Sequence, residues 1–140
     1  MSHQCSNLLI RPMDFRLQPA IEKWLDQKGY NGDTDMIAVA GACKDFVKDP
    51  ENCMGTYLWS ELDTSYRLHQ IKKIIVIMHQ DCGAYGGEEA FENKEAEKKK
   101  LLADLDKFKD LALEKYPEIE VEKYWAAEND QSEWDFESIA

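Results

Sequence analysis

An uninterrupted apolar run, Ile74-Ile75-Val76-Ile77-Met78, passes directly into His79-Gln80-Asp81-Cys82-Gly83-Ala84-Tyr85-Gly86-Gly87. β-Branched residues without polar alternation describe a strand buried on both faces, which restricts the chain to a parallel sheet covered by helices. His79 and Cys82 then emerge together at the carboxyl end of that strand, the edge at which open α/β sheets place ligands. A neutral imidazole and a thiolate at this spacing suit a borderline-soft ion such as zinc, and the glycines let the backbone turn sharply beside it. One pair of ligands does not close a site. A tetrahedral zinc needs further donors from elsewhere in the chain, and Asp14 and Cys43 are the candidates.

Strands and helices alternate along the rest of the sequence, with no repeat and no dividing linker. A first strand is predicted over residues 7–11, followed by a helix from Pro19 that presents Ile21, Trp24 and Leu25 on one face. The loop Gly29-Tyr30-Asn31-Gly32-Asp33 ends that helix, and a second strand covers residues 36–39. Residues 41–52 read as irregular, with Pro50 as a breaker, and a helix over 54–70 carries Leu58, Leu62, Tyr66 and His69 at helical spacing. Beyond the His79 strand a charged helix is predicted over 88–115, with Leu101, Leu102, Leu105, Phe108 and Ala112 as its apolar face and Pro117 as its stop. In the last strand, 119–125, Ile119, Val121 and Trp125 alternate with Glu120, Glu122 and Tyr124, the pattern of an edge strand with one wet face. This order implies an α/β fold, a mostly parallel central sheet of about four to five strands flanked by helices, forming one domain over 1–140.

Composition excludes several classes of function. With 17 basic against 28 acidic residues the net charge is -11, which repels phosphate backbones and anionic lipid, so neither nucleic acid nor a membrane surface is expected as a partner. No apolar stretch approaches the roughly 20 residues needed to span a bilayer. Met1-Ser2-His3-Gln4-Cys5 lacks the basic and apolar regions of a secretory signal, and a cytoplasmic protein is expected. In that compartment the four cysteines are reduced thiols or metal ligands rather than disulfide partners.

Four segments together resemble the beta-class carbonic anhydrases. His79-Gln80-Asp81-Cys82-Gly83-Ala84 matches the family's His-x-x-Cys-Gly-Ala after a buried strand. Met13-Asp14-Phe15-Arg16, after Leu8-Leu9-Ile10, is similar to the end of its first strand with an Asp-x-Arg pair, and Ile37-Ala38-Val39-Ala40-Gly41 is similar to its second strand. Ile119-Glu120-Val121-Glu122-Lys123-Tyr124-Trp125 is similar to its last strand. The resemblance implies one zinc per chain held by His79 and Cys82, with Asp14 as a ligand or as the partner of a bound water and Arg16 orienting Asp14. It also implies a lyase hydrating carbon dioxide to bicarbonate, and a homodimer. A guanidinium fork explains the Asp14–Arg16 pairing, since two hydrogen bonds keep a carboxylate ionised and aimed.

Pro12 departs from that pattern. The family's first zinc cysteine stands two positions before the aspartate, and proline offers no ligand atom there. Cys43, just beyond the second strand, is the candidate replacement; Cys5 lies at the far end of a first strand that, at about 3.3 Å per residue, spans roughly 20 Å. Cys53 begins a helix and cannot be placed. The chain is short for the family, with little room for its extra N-terminal helices.

Each candidate also has an ordinary structural reading. Cys82 and Cys43 can be small buried hydrophobes, His79 a satisfied core histidine, and Asp14–Arg16 a surface ion pair of little worth. His69 reads as solvated or half-buried and His3 as part of a frayed terminus. The charged run from Glu88 to Lys100 reads as a solvated helix face whose first turn can either offer amides to an anion or simply start a helix. Two functions therefore stand against each other: a zinc-dependent carbonic-anhydrase-like enzyme, and a zinc-binding or metal-free structural descendant that hydrates nothing. A third, Cys82 as a nucleophile activated by His79, is opposed by the neighbouring carboxylate of Asp81.

Overall fold

The structure is a computed structural model and describes residues 3–140. Five strands, β1 (Asn7–Pro12), β2 (Thr34–Val39), β3 (Lys73–His79), β4 (Glu120–Glu128) and β5 (Trp134–Ile139), form one sheet in the order β2-β1-β3-β4-β5. The first four are parallel, and β5 pairs antiparallel to β4. The α/β architecture expected from the alternating pattern is therefore present.

Strand pleating divides the core in two. Leu8 and Ile10 of β1 and Ile74, Val76 and Met78 of β3 face α2 (Lys44–Lys48), α3 (Cys53–His69) and α4 (Lys94–Lys115), where Phe46, Trp59 and Phe108 meet with ring centroids 5.1–5.4 Å apart. Leu9, Ile75 and Ile77 face the other way, onto Ile21, Trp24 and Leu25 of α1 (Gln18–Lys28). Both faces of β3 are consequently dry, which accounts for its unbroken apolar run; burying each such side chain contributes about 1.5–3 kcal/mol.

Three expectations need correction. The strand expected at the sheet's edge is internal, because Trp134 and Phe136 bring β5 alongside β4 and α1 covers its supposedly wet face. Tyr124 is buried there, 4.8 Å from Trp24 between ring centroids, while Lys123 is buried and donates to Asp106 Oδ1 at 2.6 Å. Next, the charged helix starts at Lys94 rather than at 88: Asn93 Oδ1 accepts from the Ala96 amide at 2.8 Å, and Glu88–Ala90 is a separate 3-10 turn. Finally, the segment expected to be irregular contains α2, anchored by buried Phe46 and Val47. Among the described residues no helix is long and apolar enough to cross a membrane.

Candidate active site

Parallel pairing of β1 with β3 brings the loops that follow them to the same sheet edge. There Pro12, Asp14, Arg16, Gly41, His79 and Cys82 line a cavity of about 450 Å³. Of the predicted site residues, Asp14, Arg16, His79 and Cys82 are brought together.

His79 ends β3 and is 2% exposed. Its Nδ1 lies 2.6 Å from the Gln80 carbonyl oxygen, an acceptor only, so Nδ1 carries the proton and Nε2 keeps its lone pair. Nε2 is 3.9 Å from Asp14 Oδ2. Burial holds the imidazole below its ordinary pKa and outweighs the opposing pull of the Gln80 carbonyl and Asp14, so the ring is neutral near pH 7, the form in which it ligates a metal. Trp134 packs edge-on against it at 5.9 Å.

Cys82 is buried, and burial pushes its thiol up, with the nearby backbone amides of Ala84 and Tyr85 opposing that rise. Those amides favour the thiolate that a metal would stabilise.

Asp14 is gripped by Arg16 through both oxygens: Nε reaches each at 3.1 Å, Nη2 reaches Oδ2 at 2.7 Å, and the Arg16 amide donates to Oδ1 at 2.9 Å. Arg16 thereby holds the Asp14 carboxyl below the usual range. The same guanidinium crosses to the β3 loop, donating to Asp81 Oδ2 at 3.0 Å and to the Asp81 carbonyl at 2.9 Å.

Two further side chains fix the β3 loop. Asp81, in the left-handed region at φ 57°, accepts from the Glu88 amide through Oδ1 at 2.9 Å. Glu97, 0% exposed on α4, accepts from the Asp81 amide at 2.9 Å, and its Oε1 has no hydrogen-bond partner among the described residues. Burial pushes the Glu97 carboxyl up. Gly41 permits the approach of the β2 loop: it sits at φ 75°, and a Cβ there would lie 2.9 Å from Lys44 Cβ and 3.0 Å from Ala84 Cβ.

Cys43 does not join the cavity lining. Its side chain is fully buried with Sγ 3.5 Å from Met78 Sδ, and burial pushes the thiol far up. Cys5 lies beyond the opposite end of β1, and Cys53 is exposed at the start of α3. The sequence reading missed Trp134 and Glu97. Trp134 was signalled by the apolar-polar alternation of Trp134-Asp135-Phe136-Glu137, whereas nothing local distinguishes Glu97 from its charged neighbours.

Comparison with known proteins agrees with this architecture. A family profile described as "Putative carbonic anhydrase" matches residues 2–140. Uncharacterized proteins of Rickettsia conorii and Rickettsia bellii are each 32% identical over 122 residues; the match covers 85% of this chain and 66% and 74% of theirs, respectively. Among solved structures, the β-carbonic anhydrase CafA of Aspergillus fumigatus superposes with a TM-score of 0.64 at 12% identity, covering 98% of this chain and 76% of the other. One of two tetrameric β-carbonic anhydrases of Sordaria macrospora gives 0.56 at 12% identity, with 99% and 84% covered. The chain belongs to the putative carbonic anhydrase family, and its fold is that of the β-carbonic anhydrases.

Zinc is the metal this family implies, and the donors present fit it in kind, while their ligand atoms do not all lie within 4.8 Å of one another. His79 Nε2, Cys82 Sγ and an Asp14 oxygen are three donors on one cavity, the complement that catalytic zinc takes while keeping a fourth position open. Pro12 contributes only its ring to the wall. Use of Asp14 as a ligand requires the carboxylate to turn out of the Arg16 grip.

Proposed function

We propose that this chain is a zinc-dependent, carbonic-anhydrase-like enzyme that hydrates carbon dioxide reversibly to bicarbonate. The observation that carries this reading is the convergence of His79 Nε2, buried Cys82 and the Arg16-held Asp14 on one small cavity. Zinc bound there supplies the Lewis acidity that makes water nucleophilic near neutral pH. His79 and Cys82 would hold the ion, and Asp14 would be either its third protein ligand or, kept ionised by Arg16, an acceptor that orients a water through Oδ2. Met13, Phe15, Ala40 and Ala84 give the cavity a largely apolar wall suited to a small uncharged substrate. Arg16 fixes the geometry by tying Asp14 to the loop that carries Cys82.

A second reading, a family descendant without hydratase activity, is favoured by Pro12 and by the engagement of both Asp14 oxygens with Arg16. Zinc content and stopped-flow hydration of carbon dioxide on the same purified protein separate the two. Zinc held at this site, and turnover with it, is expected to be lost in His79→Ala and Cys82→Ser. Absence of turnover in zinc-loaded wild type overturns the enzymatic reading. We place the chain in the cytoplasm, where its free cysteines stay reduced, and read it as a homodimer, with exposed Met13 and Phe15 beside the cavity as apolar surface to cover.

A further inference from the structure

We propose that Cys5, Asp35 and His69 form a second binding site, for a borderline-soft divalent cation such as Zn2+, at the opposite, amino-terminal edge of the sheet. The sulfur, one imidazole nitrogen and one carboxylate oxygen of this trio lie within 4.8 Å of one another, and among the described residues no other three His, Cys, Asp or Glu side chains meet so closely. A tetrahedral zinc with bonds of about 2.0–2.3 Å separates its ligand atoms by roughly 3.5 Å, so closure needs shifts of about an ångström.

The three come from different elements and are already tied to one another. Asp35 lies on β2, paired in register with Leu8 of β1, while His69 is the last residue of α3, where Gln70 turns left-handed and ends the helix. Cys5 precedes β1, and its amide donates to the His69 carbonyl at 3.1 Å. His69 Nδ1 sits 2.6 Å from Asp35 Oδ2, and Ser65 Oγ donates to that same oxygen at 2.6 Å. The Cys5 thiol contacts the Asn7 carbonyl at 3.5 Å. All three ligand residues border a pocket of about 480 Å³, and His3 lines it too, offering a fourth donor.

Donor chemistry selects the ion. Thiolate and imidazole do not suit Mg2+ or Ca2+, which take oxygen ligands, whereas a sulfur-nitrogen-oxygen set of this kind suits zinc. On binding, the Cys5 thiol gives its proton to solvent and the His69 Nδ1 proton moves to Nε2, freeing the lone pair that faces Asp35. Ser65 then serves as an outer partner that keeps the carboxylate oriented. A net charge of -11 draws cations to the molecule, and an ion here would staple the segment before β1 to β2 and to the end of α3.

The test uses the full chain carrying Cys82→Ser, which removes the thiol of the candidate active site. Titration with Co2+, followed by absorption, is expected to give a thiolate-to-cobalt charge-transfer band at about one equivalent. Adding Cys5→Ser is expected to abolish that band, and His69→Gln to weaken binding at least about tenfold, with circular dichroism checking the fold of each. Protection of Cys5 from alkylation by added Zn2+, read by mass spectrometry in otherwise wild-type protein, gives a readout that needs no substitution. Absence of the band in Cys82→Ser, its persistence after Cys5→Ser, or unchanged Cys5 alkylation with Zn2+ overturns the proposal.

Discussion

Arg16 and Asp81 are 65 positions apart, yet Arg16 Nη1 lies 3.0 Å from Asp81 Oδ2 and Nη2 lies 2.9 Å from the Asp81 carbonyl. A single guanidinium therefore joins the loop after β1 to the loop after β3, while its Nε and Nη2 hold Asp14. Only a planar fork with several fixed donors makes these contacts together, because an ammonium is a compact point charge.

Arg16→Lys is accordingly expected to lower hydration about 10- to 100-fold while the protein stays folded, the range typical of losing an outer partner at a metal site. Circular dichroism and stopped-flow assays of the same samples check it. Unchanged turnover would remove Arg16 from the positioning role.

Pro12→Cys places a thiol at the cavity wall and is expected to slow zinc loss to a chelator at least about tenfold. Cys43→Ala is expected to leave zinc content unchanged and to destabilise the fold by about 1 kcal/mol, since its sulfur packs on Met78 in the core. Zinc analysis with urea unfolding distinguishes these effects; loss of zinc in Cys43→Ala would make that thiol a ligand.

Gly41→Ala combines a left-handed backbone with contacts of 2.9 and 3.0 Å from the new Cβ to Lys44 Cβ and Ala84 Cβ. A loss of about 1–3 kcal/mol is expected in urea unfolding. Stability equal to wild type would show that the β2 loop yields freely.

Glu122 links stability to pH. Burial opposes its ionisation, but Lys73 at 2.8 Å and the hydroxyls of Tyr30 and Tyr124 overcome that and hold the carboxyl below its ordinary 4.5. A lowered folded pKa gives stability that is present above 4.5 and disappears as pH falls through the folded value. Glu122→Gln is expected to cost about 1 kcal/mol near neutral pH and nothing in strong acid, so the two stability curves should converge at low pH. A constant offset would assign the effect to packing.

The homodimer reading rests on Phe15 and Met13, 83% and 63% exposed, at the cavity edge. Light scattering at micromolar concentration is expected to give twice the chain mass. A monomer would contradict it, and Phe15→Glu, a charge placed in the proposed interface, is expected to dissociate the pair.

What the sequence determined by itself was local. Ile74 to Met78 requires a doubly buried strand because β-branched apolar residues on both faces of the pleat leave no surface for water, and His79 and Cys82 must then leave at its end. Asp14 and Arg16 were legible as a pair for the same reason, being two positions apart just past a strand. Tertiary structure alone decided the rest. Whether Cys43 turned to the cavity or to Met78 depended on the path into α2, and the span from Arg16 to Asp81 on the register of β1 against β3. Glu97 gained its place beneath the β3 loop from the docking of α4, while β5 moved β4 from the sheet's edge to its interior and set Trp134 against His79. Cys5, Asp35 and His69 met for a like reason: periodicity records which face a side chain takes on its own element, whereas its partner is set by how elements distant in sequence pack together.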